Sequence, residues 1–132
     1  MQVDWELSQQ FVSDSQGIRA VCVVPATTNE VDGFGLVTGN QGGGLCEFGA
    51  TSGSLNPIEY QHNHAVTALL SDDSHYVTGC KDAVVRVFDA KTHSLEASLS
   101  GHEKPVTSLS FASTNDAKKY VVSGSWDGTA KV

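Results

Sequence analysis

An internal repeat of 40–45 residues constrains this chain more than any other feature of its sequence. Residues 62–69 (HNHAVTAL) align with residues 102–109 (HEKPVTSL), and residues 77–87 (VTGCKDAVVRV) align with residues 122–132 (VSGSWDGTAKV). A degenerate earlier copy precedes them, so that three copies begin near residues 14, 62 and 102. A repeat of this length indicates copies of one supersecondary unit that stack to bury a shared core.

Within each copy the pattern is typical of short β-strands. Residues 66–70 and 84–88 alternate in side-chain character and are rich in β-branched residues, as half-buried strands are. Residues 81–83 (KDA) and 126–128 (WDG) have the composition of tight turns between two strands. No segment has a sustained 3.6-residue apolar period, so we expect almost no helix. Four short strands per copy predict an all-β chain in which each copy is one blade of a β-propeller.

The last two copies resemble WD repeats at their fixed positions. Gly101 and His102, followed by residues 123–132 (SGSWDGTAKV), form a strong match. The middle copy matches at four positions, namely His62, Thr78, Asp82 and Phe88. Phe88 stands where WD repeats usually have tryptophan. This resemblance implies about three blades of a seven-bladed WD-repeat propeller.

The first copy is the least regular, with Asp14 at the histidine position and Gly42 at the aspartate position. Residues 1–12 are expected to form the closing strand of the last blade. Val132 falls inside a strand, one residue before the expected tryptophan, so we expect a partial propeller within a longer protein. The repeats have these approximate bounds: 14–60, 61–100 and 101–132.

His102, Ser123 and Asp127 could form either a catalytic triad or the hydrogen-bonded network that ties strands together in WD repeats. In that network the imidazole bridges a carboxylate and a hydroxyl, which satisfies buried polar groups. The same residue types recur one copy earlier, whereas an enzyme needs one nucleophile, and the nucleophile elbow Gly-x-Ser-x-Gly is absent. We therefore predict no enzymatic activity. Six residues are assigned to the structural network: His62, Thr78, Asp82, His102, Ser123 and Asp127.

Three further patterns favour structural roles over ligand binding. Residues 39–44 are glycine-rich, but no Lys-Ser/Thr pair and no helix follow, which favours a strand-to-strand turn over a phosphate cradle. His62 and His64 have no third metal ligand nearby in the sequence. We expect no cofactor and no metal. The cysteines lie far apart in apolar stretches, as buried and reduced thiols do: Cys22, Cys46 and Cys80.

Charge and hydropathy argue against two classes of partner. Eight basic and 15 acidic residues give a net charge of −7, and such a chain repels nucleic-acid phosphates. The longest apolar run, residues 20–24, is far shorter than the ~20 residues of a membrane helix. The acidic N-terminus lacks the basic start and apolar middle of a signal peptide. We expect a cytoplasmic and nuclear protein that binds neither nucleic acid nor membranes.

The N-terminal sequence narrows the resemblance further. Three stretches resemble the phospholipase-A-activating protein (PLAA) family of ubiquitin-fusion-degradation cofactors: residues 5–8 (WELS), residues 17–21 (GIRAV) and, in the third repeat, residues 122–132. The resemblance implies a non-enzymatic, ubiquitin-binding propeller that acts in ubiquitin-dependent protein degradation and ubiquitin recycling. It also implies an AAA ATPase partner, bound through domains outside these residues. The alternative is a WD-repeat scaffold for another protein complex.

The repeat also predicts which residues face a partner. The loops that enter each innermost strand and the turns between second and third strands share one face of a propeller, and their residues differ from copy to copy. Trp126 is the expected anchor, although it could instead pack on a neighbouring turn, and Arg19 could be structural. We expect the apolar patch of ubiquitin, ringed by basic residues, to be attracted by the acidic N-terminal half and to contact this set: Gln16, Gly17, Arg19, Gln41, His64, Lys81, Lys104 and Trp126.

Overall fold

The computed structural model describes residues 10, 12, 16–25, 34–49 and 53–132. The expected closing strand at residues 1–12 lies outside them except for Gln10 and Val12, and so does Asp14. The described residues form no helix and the following strands: β1 (Ile18–Pro25), β2 (Phe34–Asn40), β3 (Gly44–Gly49), β4 (Leu55–Gln61), β5 (Val66–Ser71), β6 (His75–Cys80), β7 (Val85–Asp89), β8 (Leu95–Leu99), β9 (Val106–Ser113), β10 (Lys119–Ser125) and β11 (Ala130–Lys131).

These strands form three antiparallel sheets, in each of which neighbours in the chain are neighbours in the sheet. The first sheet contains β1 to β4, the second β5 to β8, and the third β9 to β11. The prediction of an all-β, propeller-like fold is confirmed. In the described part of the chain, no helix is long and apolar enough to cross a membrane.

Side-chain alternation along the strands places the core between sheets. In β1, Cys22 and Val24 are buried, whereas Val21 and Val23, which point to the other face, are 56% and 54% exposed. One core cluster joins the first and second sheets: Cys22, Val24, Val37, Leu45, Val66, Tyr76, Phe88 and Ala90. A smaller cluster joins the second and third sheets: Val77, Val85 and Val106.

Two equivalent glycines set how closely adjacent sheets approach. A Cβ atom on Gly39 in β2 would lie 2.4 Å from a methyl carbon of Val66, the first residue of the second sheet. A Cβ atom on Gly79 in β6 would lie 2.8 Å from a methyl carbon of Val106, the first residue of the third sheet. The same glycine-to-valine contact therefore repeats from one sheet to the next, which explains why both copies have glycine here.

Polar contacts also join the sheets. The Ser71 hydroxyl donates to the Val23 carbonyl across the first two sheets (2.5 Å), and the Thr67 hydroxyl donates to the Val106 carbonyl across the second and third. The Lys119 ammonium forms an ion pair with Asp72 at 2.9 Å. Each contact links one sheet to the next and so fixes the relative position of the loops at the sheet ends.

Candidate functional site

The same backbone hydrogen bond fixes one end of all three sheets. The N–H of the first turn residue after the second strand donates to a carbonyl in the loop that enters the first strand. In the first sheet Gln41 donates to Gly17 (2.9 Å). The counterparts are Lys81 to Ala65 (2.9 Å) and Trp126 to Pro105 (3.1 Å). Because each turn is held against its entry loop, the side chains at these positions project from a fixed backbone.

Residues from the three turns and entry loops surround one cavity of about 230 Å³. We call the surface around it the turn face. Four of the eight predicted partner-contact residues line the cavity, namely Arg19, Gln41, Lys81 and Trp126. The lining residues in the described part of the chain are Arg19, Gln41, Ala65, Thr67, Lys81, Pro105, Thr107 and Trp126. The structure thus brings together residues that lie up to 107 positions apart in the sequence (19 to 126).

The other four predicted contact residues lie outside this lining, on the entry loops. Gln16, Gly17, His64 and Lys104 are all exposed. The carbonyl of His64 accepts a hydrogen bond from Cys80 Sγ (3.4 Å), and the carbonyl of Lys104 accepts one from the Ser125 hydroxyl (2.9 Å). The backbones of His64 and Lys104 therefore support the turns, while the side chains of these two residues remain at the surface.

Trp126 is the most informative residue of the turn face. Its side chain is 69% exposed, although its backbone is fixed by Pro105. The aromatic pairs in the described part of the chain involve residues 60–93 and do not include it. This exposure argues against local packing as the reason for an indole at this turn.

Arg19 contributes to both the structure and the surface of the turn face. Its Nη1 donates to Gln41 Oε1 at 2.5 Å, which joins β1 to the β2–β3 turn. The residue is nonetheless exposed and lines the cavity. The two roles that the sequence left open for Arg19 are thus compatible.

Among the described residues, the charge of the cavity lining differs from what the acidic N-terminal half suggested. Among the acidic residues of that half, the structure describes Glu47 and Glu59. Glu47 is buried and its carboxylate contacts His93 Nε2 at 3.1 Å, while Glu59 lies in the outer strand β4. As far as the structure describes the chain, the cavity lining contains two cations, Arg19 and Lys81, and no carboxylate.

The last copy contains the predicted hydrogen-bonded network. Nδ1 of His102 donates to Asp127 at 2.9 Å, and Nε2 accepts from the Ser123 hydroxyl at 2.8 Å. Hydrogen bonds from the Thr129 hydroxyl, from the Glu103 N–H and from His102 hold the pKa of the Asp127 carboxyl well below its usual range, against the opposing effect of burial. Every polar group of the set is therefore satisfied within the protein.

A cavity of about 420 Å³ adjoins His102 and Ser123 between the second and third sheets. Ser123 itself is only 6% exposed. The equivalent hydroxyl one copy earlier, that of Thr78, is fully buried and makes the same bond to a histidine Nε2, with a distance of 2.9 Å to His62. Because the hydroxyl-to-imidazole bond recurs at a site with no access, the bond by itself does not indicate catalysis.

The middle copy departs from the predicted network at Asp82. His62 Nδ1 donates to the Gly43 carbonyl at 3.1 Å, so Asp82 is not its partner. The Asp82 carboxylate instead accepts from both Nη atoms of Arg86, at 3.2 and 2.7 Å. The prediction that Asp82 bonds to His62 is wrong. The Nδ1–H of His62 donates to the Gly43 carbonyl of the neighbouring sheet, and the Asp82 carboxylate accepts from the Arg86 guanidinium instead.

The surroundings of His62 favour its neutral form. Burial lowers the pKa of His62 to about 4, and the nearby Arg86 cation acts in the same direction, while the Gly43 carbonyl and Asp82 oppose it. Burial raises the pKa of Asp82, but the hydrogen bonds from Arg86 and from the Val84 N–H outweigh this and leave it lowered. The middle copy thus holds a neutral imidazole beside a charged pair.

Acidification from pH 6.5 to about 4 is expected to destabilise the folded chain through His62. In this interval the unfolded chain binds a proton at His62 and the folded chain does not. The free energy of unfolding is therefore unaffected by the protonation of His62 above pH 6.5 and decreases as the pH falls from 6.5 to about 4. Urea denaturation at several pH values measures it. The parent should lose stability more steeply in this window than the His62→Asn variant, which keeps a donor for Gly43. Equal slopes would contradict the assignment.

The remaining candidates from the sequence have ordinary surroundings. Both ring nitrogens of His62 are occupied by protein atoms, and no cluster of three potential metal ligands occurs among the described residues. The three cysteines are free thiols. Burial raises the pKa of Cys22 to about 11 and also raises that of Cys80, whereas Cys46 is half-buried rather than buried as expected.

Comparisons with known proteins agree with the repeat. The model of the family described as "WD domain, G-beta repeat" matches residues 55–89 and 93–132. Among solved structures, the chain is similar to the crystal structure of the computationally designed Ika8 protein, with a TM-score of 0.71 and 29% sequence identity. That match covers 91% of this chain and 34% of the designed chain, so the present chain spans about a third of its length. No curated protein matches the sequence.

Proposed function

The chain belongs to the WD-repeat family, whose propellers are typically non-catalytic scaffolds for protein–protein interaction, and we propose that it binds a protein partner through the turn face. The observation that carries this proposal is Trp126. An indole that is 69% exposed and stands on a fixed backbone at the rim of a cavity has the properties of an interface anchor.

The rigidity of the turn face supports the same conclusion. Its turns are held by backbone hydrogen bonds to the entry loops, and Arg19 is held by Gln41. Binding to a fixed surface loses less conformational entropy than binding to a mobile one. The turn face therefore presents Trp126 and the neighbouring cations in a conformation that needs little rearrangement.

We propose ubiquitin, free or attached to other proteins, as the partner. Support comes from the resemblance of residues 5–8, 17–21 and 122–132 to the PLAA family. In this proposal the chain is a non-enzymatic module in ubiquitin-dependent protein degradation and ubiquitin recycling, in the cytoplasm and nucleus. An AAA ATPase would bind domains outside these residues. The alternative is a scaffold for a different protein complex, which would use the same face.

Two substitutions test this proposal in the full chain. Trp126→Ala should weaken ubiquitin binding about thirtyfold, which corresponds to a loss of ~2 kcal/mol for an aromatic anchor. Lys104→Glu reverses a charge on an adjacent entry loop and should change the affinity more than twofold. Lys118→Glu is the matched control, because it reverses a charge in the β9–β10 loop at the opposite end of the third sheet. Calorimetric titration with ubiquitin measures all three.

Three outcomes separate the alternatives. If Trp126→Ala and Lys104→Glu remain folded and bind within twofold of the parent, the partner contacts another face. If the parent itself does not bind ubiquitin, the ubiquitin assignment is wrong and the scaffold alternative is favoured. Loss of binding in Trp126→Ala, with the Lys118→Glu control unchanged, supports both the face and the partner.

A further inference from the structure

We infer that the cavity of the turn face receives a carboxylate, supplied by an aspartate or glutamate side chain of the protein partner. This inference rests on the proposed function, because it assumes that a protein docks on this face. The proposed function names the docking face, and the inference names the chemical group of the partner that enters the cavity. Three observations carry it: the charges of the lining, its supply of hydrogen-bond donors, and the size of the cavity.

The two cations of the cavity lack carboxylate partners within the described part of the chain. Arg19 bonds to the neutral side chain of Gln41, and Lys81 is exposed and belongs to none of the ion pairs found there. Among the described residues, the cavity is therefore lined by two cations and no carboxylate, although the net charge of the chain is −7.

The exposed side chains of Arg19, Lys81 and Trp126 supply the lining with hydrogen-bond donors. The hydroxyls of Thr67 and Thr107 already donate to backbone carbonyls, and Gln41 Oε1 already accepts from Arg19. The remaining N–H groups of Arg19, the ammonium of Lys81 and the exposed indole N–H of Trp126 can each donate to a ligand. A group that offers several acceptors and a negative charge is the best match, and a carboxylate binds a guanidinium in a bidentate manner.

The size of the cavity limits what this anionic group can be attached to. Its volume is about 230 Å³, below the roughly 300–1,000 Å³ of typical small-molecule sites. It therefore suits one side chain that enters from a docked protein better than a whole ligand. Trp126 at the rim offers an apolar surface for the methylene groups of that side chain or for the adjacent residue.

Two end-blocked peptides, Gly-Leu-Glu-Glu-Leu-Gly and the matched Gly-Leu-Gln-Gln-Leu-Gly, test this inference on the full chain. NMR titration follows the indole N–H resonance of Trp126, which is assigned with Trp126→Phe. The glutamate peptide should shift the resonance at concentrations at least tenfold lower than the glutamine peptide. Lys81→Gln and Arg19→Gln, singly and together, should remove this preference, whereas Lys118→Gln should keep it. Raising the salt concentration should weaken binding of the glutamate peptide alone.

The outcomes distinguish this inference from the proposed function. Equal responses to the two peptides, or a preserved preference in the Arg19→Gln/Lys81→Gln variant, would overturn the carboxylate inference. Titration of the same variants with ubiquitin adds the second comparison. If Trp126→Ala loses ubiquitin binding while Arg19→Gln/Lys81→Gln binds within twofold of the parent, the docking face stands and the carboxylate inference fails. If Trp126→Ala also binds normally, the proposed face fails as well.

Discussion

Replacement of Gly43 by alanine is expected to lower the free energy of unfolding by about 3 kcal/mol. Gly43 has a φ of +92°, in the left-handed region that costs a non-glycine residue ~1–2 kcal/mol. A Cβ atom there would also lie 2.4 Å from the carbonyl oxygen of His62 and 2.7 Å from that of His64. Both are backbone atoms, so relief requires a shift of the chain between the first and second sheets.

The shift would also weaken a contact between sheets. The Gly43 carbonyl accepts two hydrogen bonds from His62, one from its backbone N–H (3.0 Å) and one from its side-chain Nδ1–H (3.1 Å). Gly128→Ala is the matched control, since Gly128 occupies the equivalent turn position with a φ of +83° and open space around its Cβ position. Ala83 already adopts a φ of 70° at this position in the middle copy. Urea denaturation should give a loss of only about 1 kcal/mol for Gly128→Ala, and equal losses in both variants would contradict the account.

Asp82→Ala is expected to lower the free energy of unfolding by about 3 kcal/mol. The substitution leaves the guanidinium of Arg86 unpaired, with only 11% of its side chain exposed, and an uncompensated buried charge is costly. It also removes the acceptor that Asp82 provides for the Val84 N–H at 3.0 Å. Thermal and urea denaturation of the variant and the parent measure the loss.

A second substitution identifies the partner of Asp82. Arg86→Met, added to Asp82→Ala, removes the unpaired charge and should restore at least 1 kcal/mol of the lost stability. If Asp82 instead stabilised His62, as the sequence alone predicted, Arg86→Met would remove further contacts and restore nothing. A double variant that is less stable than Asp82→Ala would therefore contradict the assignment of the Asp82–Arg86 pair.

The fold could be predicted from the sequence because its signals are local. Strand alternation, turn composition and the spacing of the repeat lie within single copies, and each copy reinforces the next. The network of His102, Ser123 and Asp127 was predictable for the same reason, since its members stand at the fixed positions of one repeat. The positions of Trp126 and Lys81 followed from their place just before each turn aspartate.

The parts that sequence reasoning missed depend on contacts between copies or on one substituted residue. The acceptor for His62 is a backbone carbonyl of Gly43, and a carbonyl leaves no signature in the sequence. Arg86 corresponds to Lys131 in the last copy, and a planar guanidinium can bind a carboxylate in a bidentate way that an ammonium does not. Sequence comparison of the copies shows this difference, but not that it redirects Asp82.

The grouping of Arg19 and Lys81 around one cavity also required the structure. The two cations belong to different copies and to different positions of the repeat, one in a first strand and one in a turn. The charge of the acidic N-terminal half gave the opposite expectation, because a net charge does not tell which residues line a surface. Of its acidic residues the structure describes Glu47 and Glu59, and neither lines the cavity.

The most direct test of the central claim, that a protein partner docks on the turn face, is an NMR titration of the isotope-labelled chain with ubiquitin. We predict that the largest shift changes occur at the Trp126 indole N–H and at the backbone amides of Gln41 and Lys81. The amides of the β9–β10 loop, such as that of Lys118, should remain unchanged. Shift changes confined to that loop or to the outer strands β4 and β8, with the Trp126 resonance unmoved at saturation, would contradict the account.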